Sequence, residues 1–271
     1  NINPIKKVTL STGEELPYVS SQALRRALRD RLAEMGWELS PVSEASVKKG
    51  APKTSLSPAS YIDDDLFGYM DASKGDNETK GKSTTRTSPV RVESLLALSS
   101  YKGDLDFATN YMGKAAGADP NIFETEVHSG IYRGTILIEL DRIGKGDGFE
   151  SGEISGEEKA NRVVAFLDAF QNLWSSGRQS RFLADISPKF IAAAYMKAKN
   201  PVFLEAVNVN EQMQVNVAQL DTVVSDYGKF MEDHVFASQE SIFARNSDNV
   251  KSLKEGFEAI EAWVKDFYSE V

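Results

Sequence analysis

Leu24, Leu28, Leu32 and Met35 recur at helical spacing as one apolar stripe, which predicts a helix over about 20–36 that stops near Gly36. Ala160, Val163, Val164, Leu167, Phe170 and Trp174 repeat that pattern and predict a second helix over about 156–176, ended by Gly177. Residues 213–234 and 247–270 carry the same period, with Phe257, Ile260, Trp263 and Phe267 as the stripe of the last helix. Over Gly130–Leu140 the period falls to two. Tyr132, Ile136, Ile138 and Leu140 share one face and Ile131, Arg133, Thr135, Leu137 and Glu139 the other, which predicts one central strand. The apolar run Phe190–Met196, ahead of Asn200-Pro201, predicts another strand, and residues 2–19 read as extended with a turn at Thr12-Gly13. Between these lie a proline-bearing loop over 40–60, a short helix over Ala59–Met70, and a polar loop over 71–88 that is too long for a tight turn. Helix, strand, helix, strand, with a leading strand supplied, is the skeleton of an α+β, ferredoxin-like (RRM-like) fold. Residues 40–127 then form a large excursion from a body made of 1–39 and 128–271.

The first helix opens with unusual chemistry. Ser20 and Ser21 are good N-cap residues. Helices favour acids in the first turn, where the amides carry partial positive charge, yet no acid occurs here before Asp30. Gln22, Arg25, Arg26 and Arg29 gather on an arc of about 100 degrees beside the apolar stripe. Amides, hydroxyls and guanidiniums converging on one helix end suit a phosphate. A solvated basic face is the competing reading.

Charge distribution supports the phosphate reading. The net charge of −9 argues against a general nucleic-acid binder. The acid is unevenly placed, however. Residues 1–60 hold nine Lys/Arg against six Asp/Glu, and residues 205–271 hold five against thirteen. A basic face can therefore coexist with an acidic end, and local charge decides what a groove binds. Hydrophobic content of 41% and charged content of 26% are ordinary for a globular chain. No apolar run reaches the roughly 20 residues that span a bilayer, so no membrane association and a cytoplasmic location are expected.

Catalytic chemistry is sparse. The chain has no cysteine and only His128 and His234, which excludes thiolate and His-rich metal sites; no cofactor is expected. Neither histidine lies in a nucleophile-elbow motif. Asp63-Asp64-Asp65 invites a metal, but acids near a helix N-terminus are the better supported reading. Gly144-Lys145-Gly146-Asp147-Gly148 lacks Walker spacing and reads as a flexible strand-to-helix loop. In the 71–88 loop, Gly75, Gly81, the hydroxyl run and Arg86 suit contact with a phosphate backbone; a linker without contacts is equally open on composition.

Six stretches also carry a family resemblance. Val19-Ser20-Ser21-Gln22-Ala23-Leu24-Arg25-Arg26, Asp65-Leu66-Phe67-Gly68-Tyr69-Met70, Ser88-Pro89-Val90-Arg91-Val92, Asp106-Phe107-Ala108-Thr109-Asn110, His128-Ser129-Gly130-Ile131-Tyr132-Arg133-Gly134 and Gly177-Arg178-Gln179-Ser180-Arg181 follow one another in the chain. Together they resemble the backbone subunit of type I CRISPR effector complexes (the Cascade backbone, DevR-type). The resemblance runs from about residue 1 to about residue 210. It implies a right-hand shape: an RRM-like palm, helical fingers and a thumb-like hairpin within 40–127. It also implies an opening strand and Asn-containing loop, which are expected to lie outside this chain.

By the same resemblance the protein is a non-catalytic guide-RNA (crRNA)-binding subunit. Copies would assemble head to tail as a helical filament and present the guide for target DNA pairing. Its partners would be neighbouring copies, a small capping subunit, a large subunit and target DNA. Lys7, Ser20, Gln22 and Arg25 match positions that contact guide-RNA phosphates, with Arg26 and Arg29 on the same arc. Phe107 falls in the thumb, where an aromatic can interrupt base stacking; anchoring the hairpin is its alternative role. Arg133 and Arg181 fall on palm strands, facing either RNA or the acidic half. The alternative activity is an RNA endonuclease of the same superfamily, with Asp104 or Asp106 as its loop aspartate.

Overall fold

The computed structural model describes residues 2–42, 53–71, 84–110, 117, 121–175, 183–244 and 247–270. In chain order they form β1 (Ile2–Asn3), β2 (Lys7–Thr9), β3 (Glu15–Val19), α1 (Ser21–Glu34), α2 (Ile62–Phe67), β4 (Tyr69–Asp71), β5 (Thr84–Arg86), β6 (Val90–Val92) and β7 (Leu95–Ala97). Then come β8 (Asp104–Asn110), β9 (Asn121–Val127), β10 (Tyr132–Arg133), β11 (Ile136–Ile138), α3 (Gly156–Gln171) and β12 (Phe190–Met196). The chain closes with α4 (Val217–Tyr227), β13 (Met231–Ser238), β14 (Val250–Ser252) and α5 (Leu253–Ser269).

The chain packs as two compact units, Asn1–Leu24 with Glu93–Thr135, and Arg25–Val92 with Ile136–Val271. This is not the division of 1–39 and 128–271 against 40–127 expected from the sequence. The excursion does not hold together as one body. Its first part, with α2, is built around side chains of the larger unit, and its second part pairs with the N-terminal strands.

In the smaller unit, β10-β7-β3-β2 make a four-stranded antiparallel sheet. The β2–β3 turn falls where Thr12-Gly13 predicts it: Gly13 has φ +88° and Leu10 N–H donates to Glu14 O at 2.8 Å. A second sheet, β1-β9-β8, is built on the antiparallel β8–β9 hairpin, with β1 parallel to β9.

The larger unit buries most of the core. Leu28, Leu32, Val163 and Phe166 are fully buried, and α3 packs on α5 with the Phe170 and Phe257 ring centres 6.1 Å apart. Sheet β12-β13-β14 lies beneath α5, and a Cβ on Gly256 would sit 2.5 Å from Ala237 Cβ, so glycine permits that close approach. Ser252 and Glu255 form a capping box at the start of α5.

The three consecutive aspartates of α2 are buried, at 2%, 1% and 0% exposure. Asp65 lies between Arg86 Nη2 at 2.5 Å and Arg162 Nη1 at 2.8 Å and also accepts from Gly144 N–H. Asp64 accepts from Thr54 Oγ1 and Ser57 N–H, and Asp63 from Ser40 N–H and Arg29 Nε. The run is a core network rather than a set of acids decorating a helix end. A buried carboxylate needs a cation or hydrogen-bond donors; Asp63 and Asp65 have arginines, and Asp64 has two neutral donors.

Several predicted elements differ in extent; the Ala59–Met70 helix is only α2, and Met70 lies on β4. The Gly130–Leu140 strand is cut into β10 and β11, which belong to different sheets. At the break a Cβ on Gly134 would meet Leu95 Cδ2 at 2.6 Å, so a larger residue there would displace the Leu95 side chain. The helical span 213–234 is shortened to α4, and Met231–Ser238 is instead a strand paired to β12. The span 247–270 opens with β14 before α5. The described strands form five small sheets, so the single sheet of an RRM-like palm is not found among the described residues. No helix among them is long and apolar enough to cross a membrane.

Candidate nucleic-acid interface

The first turn of α1 is capped as its sequence predicts. Ser20 is buried, and its Oγ accepts from Ala23 N–H at 3.4 Å. Ser94 Oγ accepts from Ser21 N–H at 3.0 Å. Two hydroxyls therefore already hold amides that an incoming phosphate would need, and Ser20 acts as a cap. The helix ends in a Schellman arrangement, with Gly36 at φ +92° and Trp37 N–H bonded to Leu32 O.

The arginines of α1 are not equivalent. Arg26 is exposed and donates to Asp30 Oδ1 at 2.8 Å, one helical turn on. Arg29 turns inward: Nε donates to Asp63 Oδ2 at 3.2 Å, and its guanidinium carbon lies 4.7 Å from the Phe67 ring centre. Its contact with a buried carboxylate ties Arg29 to α2 rather than leaving it free on the helix surface. Arg25 is half-buried and has no carboxylate partner among the described residues; burial first, and then the Arg29 charge, push its pKa down. Gln22 is exposed. Among the described residues, Gln22 and Arg25 are thus the members of the arc with side chains uncommitted to ion pairs.

The placement of Arg86 is corrected. It is 3% exposed, and its guanidinium donates to the Asp65 carboxylate and to the carbonyls of Asp65, Lys145, Asp147 and Arg142. A side chain so enclosed cannot contact RNA. The same bonds explain the Gly144–Gly148 loop: its carbonyls face a cation and its Gly144 amide an anion, so it is neither a phosphate cradle nor a flexible connector. Residues 72–83 of the polar loop lie outside the described residues, as does Arg181.

Lys7 is largely enclosed by acids. Its Nζ stands 3.2 Å from both Glu126 oxygens, 3.7 Å from Glu15, and 4.2 Å from the centre of the Tyr101 ring. Burial alone would lower the Lys7 pKa, but the Glu126 carboxylate outweighs it and raises it. The neighbouring Lys6 is exposed. Arg133 lies half-buried on β10 with interactions of its own.

Phe107 stands on the β8–β9 hairpin and is 62% exposed. Strand alternation puts Leu105 on the same face, and register adds Ile122 opposite Thr109. Leu105 and Ile122 are both 54% exposed, so the Phe107 ring stands on an open apolar face. Asp104 and Asp106 project from the other face of β8.

Sequence reading missed one cluster. His128 Nδ1 is 2.8 Å from Tyr132 Oη, and Ser99 Oγ is 3.5 Å from His128 Nε2. The sheet joins these residues across 29 positions of sequence. The Ser–His distance exceeds the roughly 2.6–3.2 Å of nucleophile–base pairs. No carboxylate orients the imidazole among the described residues. Groups of three or more potential metal ligands are absent among the described residues.

Residues 1–217 match the family model described as CRISPR-associated negative auto-regulator DevR/Csa2. A relative from Myxococcus xanthus (strain DK1622), a CRISPR-associated protein Cas7/Cst2/DevR, is 26% identical over 220 residues, covering 76% of this chain and 68% of its own length. Among solved structures, a chain of a CRISPR RNA-guided surveillance complex superposes with a TM-score of 0.51 at 18% identity, covering 96% of this chain and 90% of that one. A chain of a pre-nicking CRISPR RNA-guided surveillance complex gives 0.53 at 17% identity, covering 96% and 94%. These two likenesses concern the fold. The family match spans α1, the buried aspartate network, the β8–β9 hairpin and β12, and on that evidence the chain belongs to the DevR/Csa2 family of CRISPR-associated proteins.

Proposed function

We propose that this protein is a non-catalytic, guide-RNA-binding backbone subunit of a type I CRISPR surveillance complex. The observation that carries the reading is the family match over residues 1–217, which contains both the α1 phosphate-type chemistry and the exposed Phe107 hairpin. Arg25 and Gln22 contact guide phosphates without reading sequence, and Phe107 wedges against a base. Copies line up head to tail along one RNA, a heterologous contact that propagates rather than closes. The guide's bases remain available for target DNA, so pairing supplies specificity.

The acidic C-terminal region gives copies little electrostatic reason to associate by themselves. A shared RNA makes each neighbour contact effectively intramolecular. The test is to sequence nucleic acid that co-purifies with the protein and then reconstitute it with guides of increasing length. Guide RNA in the preparation, and rods that lengthen stepwise with RNA, are expected. Rods of one fixed length that form without RNA would replace this reading with a protein-only scaffold.

A further inference from the structure

We propose that Arg91, Arg142 and Lys199 form a second phosphate-binding surface, distinct from the α1 arc, that takes a nucleic-acid backbone. The inference rests on the nucleic-acid-binding reading above but concerns residues that reading does not use. Arg91 is the outward residue of β6, between Val90, which is fully buried, and Val92. It pairs in register with Leu137 of β11, and Glu139 follows β11 directly. Glu139 is 6% exposed. Its carboxylate accepts from Arg91 Nη2 at 2.9 Å and Arg142 Nη1 at 2.5 Å, with Lys199 Nζ at 3.4 Å. Lys199 also donates to Asp141 Oδ2 at 2.7 Å.

Three cations therefore surround two carboxylates, of which only Glu139 is buried. Neutralising both carboxylates takes two of them, which leaves one positive charge in surplus. A guanidinium carries five N–H groups and an ammonium three. Among the described residues Arg91 commits one N–H, to Glu139, and Arg142 commits its two η nitrogens, to Glu139 and to Thr87 O. The Arg91 and Lys199 side chains remain 50% and 48% exposed. Planar guanidinium forks with spare donors match phosphate oxygens, and a buried carboxylate behind them fixes their direction.

The frame is rigid. Arg86 Nη2 donates to Arg142 O at 2.9 Å, Tyr268 Oη to Leu140 O at 2.7 Å, and Glu139 N–H to Pro89 O at 3.0 Å. Donors held on a fixed backbone lose little freedom when they bind. Half-exposed cations on an open surface suit a strand lying across them rather than an enclosed small molecule. The cavity described in this unit is lined by other residues, among them Asn210, Asn216 and Asp221.

The phosphates come from the guide or from the target strand, and one variant tested in two arms separates these sources. Arg91→Gln with Lys199→Gln leaves Arg142 to neutralise Glu139. One arm titrates single-stranded RNA at several salt concentrations. The other titrates complementary DNA onto the guide-loaded protein. In the arm that uses the surface, affinity falls equally for unrelated sequences, and the slope of log K against log salt flattens by roughly 0.7 per lost contact. Arg91→Lys with native Lys199 recovers the slope, because charge returns. If the double variant fails to fold, Lys199→Gln alone takes its place, and one contact's change is then expected. Unchanged slopes in both arms, while Arg25→Ala still flattens the RNA slope, overturn this surface and leave the proposed function standing. If neither Arg25→Ala nor the double variant alters any nucleic-acid binding, the functional reading fails, and this inference falls with it.

Discussion

Arg29 Nε donates to Asp63 Oδ2 at 3.2 Å, beneath a guanidinium that stacks over the Phe67 ring. Asp63 is 2% exposed and accepts only one further bond in the described network, from Ser40 N–H. An arginine that helical periodicity groups with Arg25 is thereby a clamp between α1 and α2. The two side chains are four positions apart, and the difference between them is which one a buried acid can reach.

That difference separates two variants. Arg29→Ala leaves a buried carboxylate short of its cation, which costs on the order of 1–3 kcal/mol. Arg25→Ala removes a half-buried arginine without a carboxylate partner among the described residues, and stability stays within about 0.5 kcal/mol. For RNA binding the order reverses: Arg25→Ala flattens the salt slope by roughly 0.7, and Arg29→Ala leaves it unchanged under conditions where the protein is folded. Urea midpoints alongside filter-binding titrations give both quantities. A slope that changes for Arg29→Ala and not for Arg25→Ala would reverse the assignment.

Arg86→Leu is expected to behave as a core mutation. It strips one of two arginines from Asp65 and orphans the carbonyls of Lys145, Asp147 and Arg142, which the guanidinium now bridges. Breaking a buried pair by removing one partner costs about 3–5 kcal/mol. Loss of soluble protein, or a large fall in the urea midpoint, is the expected result. A stable Arg86→Leu protein that binds RNA weakly would instead make Arg86 a surface contact.

The sequence discloses the elements and hides the pairings. The Leu24–Met35 stripe places α1, and Phe190–Met196 is read with the bounds of β12, because amphipathic period and apolar runs are local signals. Arg29 and Arg86 are misread because their partners, Asp63 and Asp65, lie 34 and 21 residues away, and no local pattern tells a solvated arginine from a buried one. Asp63-Asp64-Asp65 is misread for the same reason. Composition shows three acids, and only the fold supplies Arg29, Arg86 and Arg162. Met231–His234 is taken into a helix because its residues fit either period over so short a run, and β12 beside it decides the outcome. Phe107 is legible only through family resemblance; its exposure comes from a hairpin face that the sequence does not orient.

Glu139 gives a pH prediction with a definite sign. Burial alone would raise its pKa, but Arg142, Arg91 and Lys199 hold it below the ordinary 4.5. A carboxyl whose folded pKa is depressed stabilises the fold fully above its unfolded value, and that contribution is lost as pH falls through the folded value. Glu139→Gln is therefore less stable than the native protein at pH 7, and the gap closes as pH drops below about 4.5. Asp185, held down to about 2 by Lys189 and Ser187, also loses its contribution in acid but is common to both proteins, so it cancels in the difference. Asp168, raised by burial and by Glu261, has the opposite sign and cancels too. Urea unfolding of both proteins between pH 3 and pH 7 measures the gap; a gap that stays constant over that range refutes the paired-carboxylate account.

Phe107→Ala distinguishes a hairpin anchor from a base wedge. The ring is 62% exposed, and its face neighbours Leu105 and Ile122 are each 54% exposed, so truncation removes little buried area. Stability is expected to stay within about 0.5 kcal/mol. If the ring stacks on a base, its loss costs about 1–3 kcal/mol of RNA affinity, and no particular sequence is favoured because every base has a π-face. The salt slope should not move, since no phosphate contact is removed, and this separates the wedge from Arg25. Replacing Phe107 by Tyr or Trp keeps a stacking face and should restore binding, whereas Leu keeps the apolar bulk and should not. A fluorescent adenine analogue walked along a bound RNA reports the same event locally, its emission rising where a neighbour is unstacked and falling back with Phe107→Ala. Equal RNA affinity for Phe107→Ala and the native protein, at every salt concentration, would leave the exposed Leu105–Phe107–Ile122 face without a role in holding RNA.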